Sequence, residues 1–199
     1  MKIIGITGGI GSGKSTVLAY MEETYHAYIL QTDQIARKLQ EPDQNCYKEI
    51  VRLFGKEILQ EDGWIDRNKL GNLVFADHEK LSLLNQIVHP AVKACVKREI
   101  QYAQKEGVEL VLIESALLLE DHYEELCDEL WYIYAREEVR TKRLKESRNL
   151  KDEKIRKIMD SQAEEKVFRT SCDVTIDNSD LFCKTKEQIM KAMKEIDRR

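Results

Sequence analysis

Proline is almost missing from this chain: Pro42 and Pro90 are the two among 199 residues, so helices are free to run long. No apolar stretch approaches the length of a membrane-spanning helix, which excludes that kind of anchor. The five cysteines (Cys46, Cys95, Cys127, Cys172 and Cys183) are scattered, odd in number and never spaced C-x-x-C. A zinc site or disulfide framework is therefore not expected, and reduced thiols in the cytoplasm are. There is no basic excess: 32 Lys and Arg stand against 36 Asp and Glu, a net charge of −4. That balance argues against a general nucleic-acid binder, which must neutralise phosphates. A strand-like run begins at Lys2–Ile3 and leaves no room for a signal peptide, again the expectation of a cytoplasmic protein. No internal repeat, low-complexity tract or apolar surface stripe is visible, so a monomer or weak homo-oligomer is expected.

What the chain does have is an ordinary mixture of 42% hydrophobic and 34% charged residues, patterned as alternating strands and helices. Five short apolar runs read as buried parallel strands: Ile3–Thr7, Ala27–Leu30, Leu110–Glu114, Leu130–Ala135 and Val174–Asp177. Buried parallel strands give continuous apolar runs rather than alternation. The segment between the second and third runs is far longer than a crossover needs. Helical periodicity fills it over Asp33–Leu39, Gln44–Phe54, Arg67–Phe75, Glu79–Ile87 and Ala91–Lys105. Asp77 is placed to cap one of these helices and Gly107 to end another. Pro90 reads as the first turn of the last helix, with His89 extended before it. A second insertion, about Glu138–Phe168, is helical and carries Arg140, Lys142, Arg143, Lys145, Arg148 and Lys151. It reads either as a mobile lid over phosphates or as a solvated helix pair. The expected architecture is α/β: a P-loop NTPase fold with a five-stranded parallel sheet, an inserted helical substrate-binding subdomain and a helical lid. Within this single domain, 1–32, 107–137 and 169–199 form the nucleotide-binding core, 33–106 the insertion and 138–168 the lid.

The P-loop expectation rests on GITGGIGSGKST, which ends the first apolar run with Gly8-x4-Gly13-Lys14-Ser15. Such glycines let several backbone N–H groups turn toward one anion. The following helix adds its positive end. Gly8, Gly11, Ser12, Gly13, Lys14, Ser15 and Thr16 are thus candidate ATP ligands, Lys14 for the β- and γ-phosphates and Ser15 for Mg²⁺. No N-K-x-D guanine-reading motif occurs, since Asn68-Lys69 continues with Leu70-Gly71. Asp33, just past the second strand, has two roles open: a helix N-cap, or the group that orients an acceptor hydroxyl and takes its proton. Glu114, ending the third strand, is either a surface acid or a holder of Mg²⁺, directly or through water. Leu117–Leu119 read as core packing ahead of Glu120, His89 as a turn or capping histidine, and Trp64 and Trp131 as packing residues. A kinase for a small acceptor and a non-catalytic nucleotide binder both remain compatible with this much.

Taken in order, ITGGIGSGKST, TDQIARKLQEP, LVFAD, IVHPAV, ALLLE, EEVRTKRL, Ser161-Gln162 and TIDNS resemble the dephospho-coenzyme A kinase family over the whole length. The resemblance implies transfer of the γ-phosphate of ATP, with Mg²⁺, to the 3′-hydroxyl of the ribose in dephospho-CoA, the last step of CoA synthesis. It implies that Asp33 is the catalytic acid rather than a cap, with Lys14 and Arg140 completing the catalytic set. Gly11–Thr16 match the ATP loop, and Arg140 a lid position that meets the ATP phosphates. Arg37 and His89, with Leu117, Leu118 and Glu120, match the acceptor side, and Asn178 lies in a segment near the adenine. Three positions depart from the family. Gln31 stands where an acid is common, and Ala116 where a proline is common. Ser147, followed by Arg148, replaces the second lid arginine. Kinases of nucleoside monophosphates are the nearest alternative.

Overall fold

A computed structural model of the chain describes residues 1–196 and 198. The apolar runs become strands β1 (Lys2–Thr7), β2 (Tyr28–Gln31), β3 (Leu110–Glu114), β4 (Glu129–Tyr134) and β5 (Val174–Asp177). They make one sheet in the order β2-β3-β1-β4-β5. β1 pairs in parallel with β3 and with β4, and β4 in parallel with β5. The second strand begins at Tyr28, one residue later than its apolar pattern suggests, because Ala27 packs in the core just ahead of it.

By its contacts the chain divides into two compact units, residues 1–29 with 107–199, and residues 30–106. In the first unit, helices α1 (Lys14–Tyr25) and α9 (Phe182–Ile196) contribute to one core with the sheet. That core holds Ile4, Ile6, Val17, Met21, Leu112, Trp131, Ile133 and Ile189, all wholly or almost wholly buried. Trp131 is the packing residue its sequence context suggests. Between β4 and β5 lie α6 (Glu137–Arg148), α7 (Asp152–Asp160) and α8 (Glu165–Ser171). The insertion is thus three helices, and its last is fastened to the sheet. Phe168 of α8 stacks on Tyr132 of β4 with ring centroids 4.9 Å apart and planes 11° from parallel. This burial pushes the Tyr132 hydroxyl up to about 12.

In the second unit, α2 (Thr32–Leu39), α3 (Asn45–Phe54) and α4 (Arg67–Phe75) all pack on one long helix, α5 (His78–Lys105). The shared core includes Ile50, Phe54, Leu70, Val74, Val88, Val92 and Val96. Asp77 caps α5 as anticipated, accepting from the backbone N–H groups of Glu79 and Lys80 at 3.0 and 3.2 Å. Two expectations fail here. His89 and Pro90 do not separate two helices: α5 runs through both. A mid-helix proline forfeits one backbone hydrogen bond, and packing from α2, α3 and α4 outweighs that loss. Trp64, expected to pack, is 47% exposed. It sits on a tight turn closed by Gln60 N–H to Trp64 C=O at 2.8 Å. Among the described residues no helix is long and apolar enough to cross a membrane.

Candidate active site

The phosphate loop bridges β1 and α1, and its glycines are there for space as much as for curvature. Gly13 has φ 89°, the left-handed region, and a Cβ on it would strike the side-chain amide of Asn178. A Cβ on Gly9 would lie 2.5 Å from the Arg140 guanidinium. The loop therefore fits beneath other side chains and tolerates no bulk on that face. Lys14, at the first position of α1, donates from Nζ to the Gly8 carbonyl at 2.7 Å and lies 3.8 Å from Glu114 Oε1. This contact brings the strand-end acid and the loop lysine together. Ser15 and Thr16, in the first turn of α1, are exposed. The Ser12 hydroxyl is buried with no hydrogen-bond partner among the described residues.

Helix α6 splits its charge between two faces. Arg140 donates from Nε to the Ile10 carbonyl at 2.9 Å and from Nη2 to Gln162 Oε1 at 2.8 Å. The same Gln162 oxygen accepts the Ile10 N–H at 3.0 Å. Arg143 donates from Nη1 to the Ser12 carbonyl at 3.1 Å and from Nη2 to the Asn178 carbonyl at 2.8 Å. Asn178, 2% exposed, donates from Nδ2 to the Ser12 carbonyl at 2.8 Å. Lys142 and Lys145 turn elsewhere, into a cavity of about 770 Å³ between α6 and α7 that also contains Glu138, Asp152 and Arg156. There Lys145 pairs with Asp152 at 2.6 Å. The basic count of this insertion thus overstates what faces the loop. Arg143 was read only as part of that charge, and Gln162 only as part of a family motif. Their bonds to the loop had no local signal.

After β3 the chain turns through Ser115–His122. Leu117 is 41% exposed and Glu120 is exposed, whereas Leu118 is fully buried. Leu118, expected on the acceptor side, has its side chain within the core. In the second unit, Asp33 and Arg37 are exposed and stand one helical turn apart on α2. Asp33 is not the cap of that helix. Gln31 holds that place and its side chain accepts from Gln34 Nε2. The carboxylate of Asp33 is left in the first turn, where the helix dipole favours it. His89 lines a hollow of about 460 Å³ with His78, Leu81, Asn85 and Pro90, all on α5.

The family model described as dephospho-CoA kinase matches residues 2–182. The chain belongs to the dephospho-CoA kinase family. Curated family members agree: the protein of that name from Carboxydothermus hydrogenoformans is 40% identical over 196 residues, covering 98% of this chain and 94% of its own. Among solved structures, one from Thermus thermophilus superposes with a TM-score of 0.85 at 31% identity, covering 98% of this chain and 96% of that one. The dephospho-CoA kinase from Campylobacter jejuni gives 0.71 at 26% identity, with 98% of each chain covered. As a member of the dephospho-CoA kinase family the chain is an enzyme, a nucleotide-binding P-loop kinase.

Proposed function

We propose that this chain transfers the γ-phosphoryl group of ATP to the ribose 3′-hydroxyl of dephospho-CoA, releasing CoA and ADP as the last step of CoA synthesis. The observation that carries the proposal is the family match over residues 2–182, in a chain whose phosphate loop is fully formed.

The residues fit a magnesium-bound nucleotide. Ser15 and Glu114 offer a hydroxyl and a carboxylate oxygen, the hard donors Mg²⁺ prefers, and the Lys14–Glu114 contact puts that carboxylate beside the loop. When bound there, Mg²⁺ supplies positive charge to the β- and γ-phosphate oxygens. Lys14 exchanges the Gly8 carbonyl for phosphate oxygens. Gly11 to Thr16 line the phosphates, with the N–H groups of Ser12 and Thr16 engaged within the loop by the Gly9 and Gly13 carbonyls. Asp33 orients the 3′-hydroxyl in line with the γ-phosphorus and accepts its proton as the new P–O bond forms and the β,γ-bridging bond breaks. Because phosphoryl transfer runs through a loose transition state, Asp33 contributes more by positioning than by basicity. Arg140 stabilises charge on the transferring group. Arg37, His89, Leu117 and Glu120 bind the acceptor. Residues 33–106 act as the acceptor-binding insertion and 138–168 as the lid, around a nucleotide core of 1–32, 107–137 and 169–199. We place the enzyme in the cytoplasm as a monomer or weak homo-oligomer that needs no nucleic acid or membrane.

The test is ADP release from ATP and Mg²⁺ with dephospho-CoA, with adenosine monophosphate, and with no acceptor. Asp33→Asn is assayed alongside. Turnover is expected with dephospho-CoA alone and reduced about 10²- to 10⁴-fold in the variant. Equal turnover with adenosine monophosphate would remove the substrate assignment, and a fully active Asp33→Asn would remove the role of Asp33.

A further inference from the structure

The outer face of the phosphate loop is held by side chains from distant parts of the chain, and what they hold are carbonyls. In a trans peptide the C=O of one residue and the N–H of the next point in opposite directions. Fixing a carbonyl outward therefore aims the following N–H inward. The Ile10 carbonyl is fixed by Arg140 at 2.9 Å, which turns the Gly11 N–H away from α6. The Ser12 carbonyl is fixed twice, by Asn178 at 2.8 Å and Arg143 at 3.1 Å, which turns the Gly13 N–H away from both. The intervening Ser12 N–H bonds within the loop, to the Gly9 carbonyl at 3.1 Å. The two amides aimed by these contacts belong to Gly11, at a variable position of the P-loop signature, and to Gly13, its second glycine, in a loop whose backbone N–H groups cradle phosphate.

The Ser12 contact is the more firmly built. Asn178 uses every polar atom it has. Its own N–H donates to the Tyr134 carbonyl at 2.8 Å. Its Oδ1 accepts from Thr185 Oγ1 at 3.0 Å, and its carbonyl accepts from Arg143 Nη2 at 2.8 Å. Its orientation is thus fixed from β4, from α9 and from α6. Gly13, at a backbone conformation other residues rarely adopt, lies so close that a Cβ would collide with this amide.

We propose that Arg143 and Asn178 are positioning residues that set the phosphate-binding amide of Gly13 by holding the carbonyl of Ser12. They act through the loop backbone and do not touch the reacting atoms. The proposal rests on the kinase reading above only for the identity of the phosphate ligand, a nucleoside di- or triphosphate. Without them the Ser12–Gly13 peptide is free to rotate, and the amide spends less time facing the phosphate. The cation of Arg143 also polarises that peptide, so an arginine contributes more than a neutral donor.

The experiment is calorimetric titration with ADP and with inorganic tripolyphosphate, no acceptor present. The proteins are the wild type, Arg143→Ala, Arg143→Lys and Asn178→Ala, with Arg136→Ala as control. The Arg136 side chain makes a surface pair with Asp180. Dephospho-CoA affinity and the KM for each substrate are measured on the same samples. Both alanine variants are expected to bind ADP and tripolyphosphate roughly tenfold more weakly. Dephospho-CoA affinity should stay within about twofold of wild type, a pattern that general loss of structure would not give. Arg143→Lys should recover most of the loss, and the control should match wild type. If Asn178→Ala does not fold, the Arg143 pair decides. Wild-type affinity for ADP and tripolyphosphate in folded Arg143→Ala would overturn the proposal. A wild type that binds ADP yet never phosphorylates dephospho-CoA would sink the substrate reading alone.

Discussion

Lys14 stands between two oxygen acceptors, the Gly8 carbonyl and the Glu114 carboxylate, and both contacts are ones a phosphate can replace. Removing the ammonium should therefore cost catalysis far more than folding. Lys14→Ala is expected to lower kcat/KM by about 10²-fold or more, with an unfolding midpoint near that of wild type. A loss of the cooperative unfolding transition in this variant would mean that Lys14 is structural instead. Ser12 presents the opposite case. Its hydroxyl is buried and has no partner among the described residues, and an unsatisfied buried hydroxyl costs about 1–3 kcal/mol. Ser12→Ala should raise stability by up to about 1 kcal/mol in urea unfolding. An equal loss instead would mean that the hydroxyl is satisfied in solution.

Helix signals carried by neighbouring residues were legible. Asp77 announced the start of α5 by its type and place, and the carboxylate does accept from two backbone N–H groups. Those bonds, that of Lys80 foremost, hold its carboxyl below the usual value of 3.8. A depressed folded value means the cap contributes fully above 3.8 and is lost as the pH falls through the lower value. The wild type should thus unfold at higher urea than Asp77→Ala at pH 7, and this gap should close toward pH 2. A gap that persists in acid would trace the effect to something other than the charged cap. Pro90 misled for a physical reason. Proline is best tolerated at a helix start, and local sequence does not report that three helices pack against α5 and carry it past the interruption. That Asp33 does not cap α2 was not legible, since whether an acid caps a helix or sits within its first turn depends on where the strand before it ends.

At the scale of the whole chain, ligand and stability are linked. ADP at about 100 times its Kd should stabilise the protein by about 2.7 kcal/mol, raising the unfolding midpoint of a chain this size by about 5–10 °C. Lys14→Ala should show a much smaller rise at the same ADP concentration. The sheet and the phosphate loop could be read from the sequence because each is written in one contiguous stretch: a run of Ile, Leu and Val, or a glycine signature. The braces could not. Asn178 and Ser12 are 166 positions apart and Arg143 and Ser12 are 131 apart, and no periodicity links residues so distant. That separation sets an order of events during synthesis. A ribosome that has released β1, α1 and β3 has delivered every residue of the Gly8–Ser15 signature and none of Arg140, Arg143 and Asn178, which hold the Ile10 and Ser12 carbonyls. The nascent chain completes these braces only when Asn178 clears the exit tunnel, well after the motif itself has been translated.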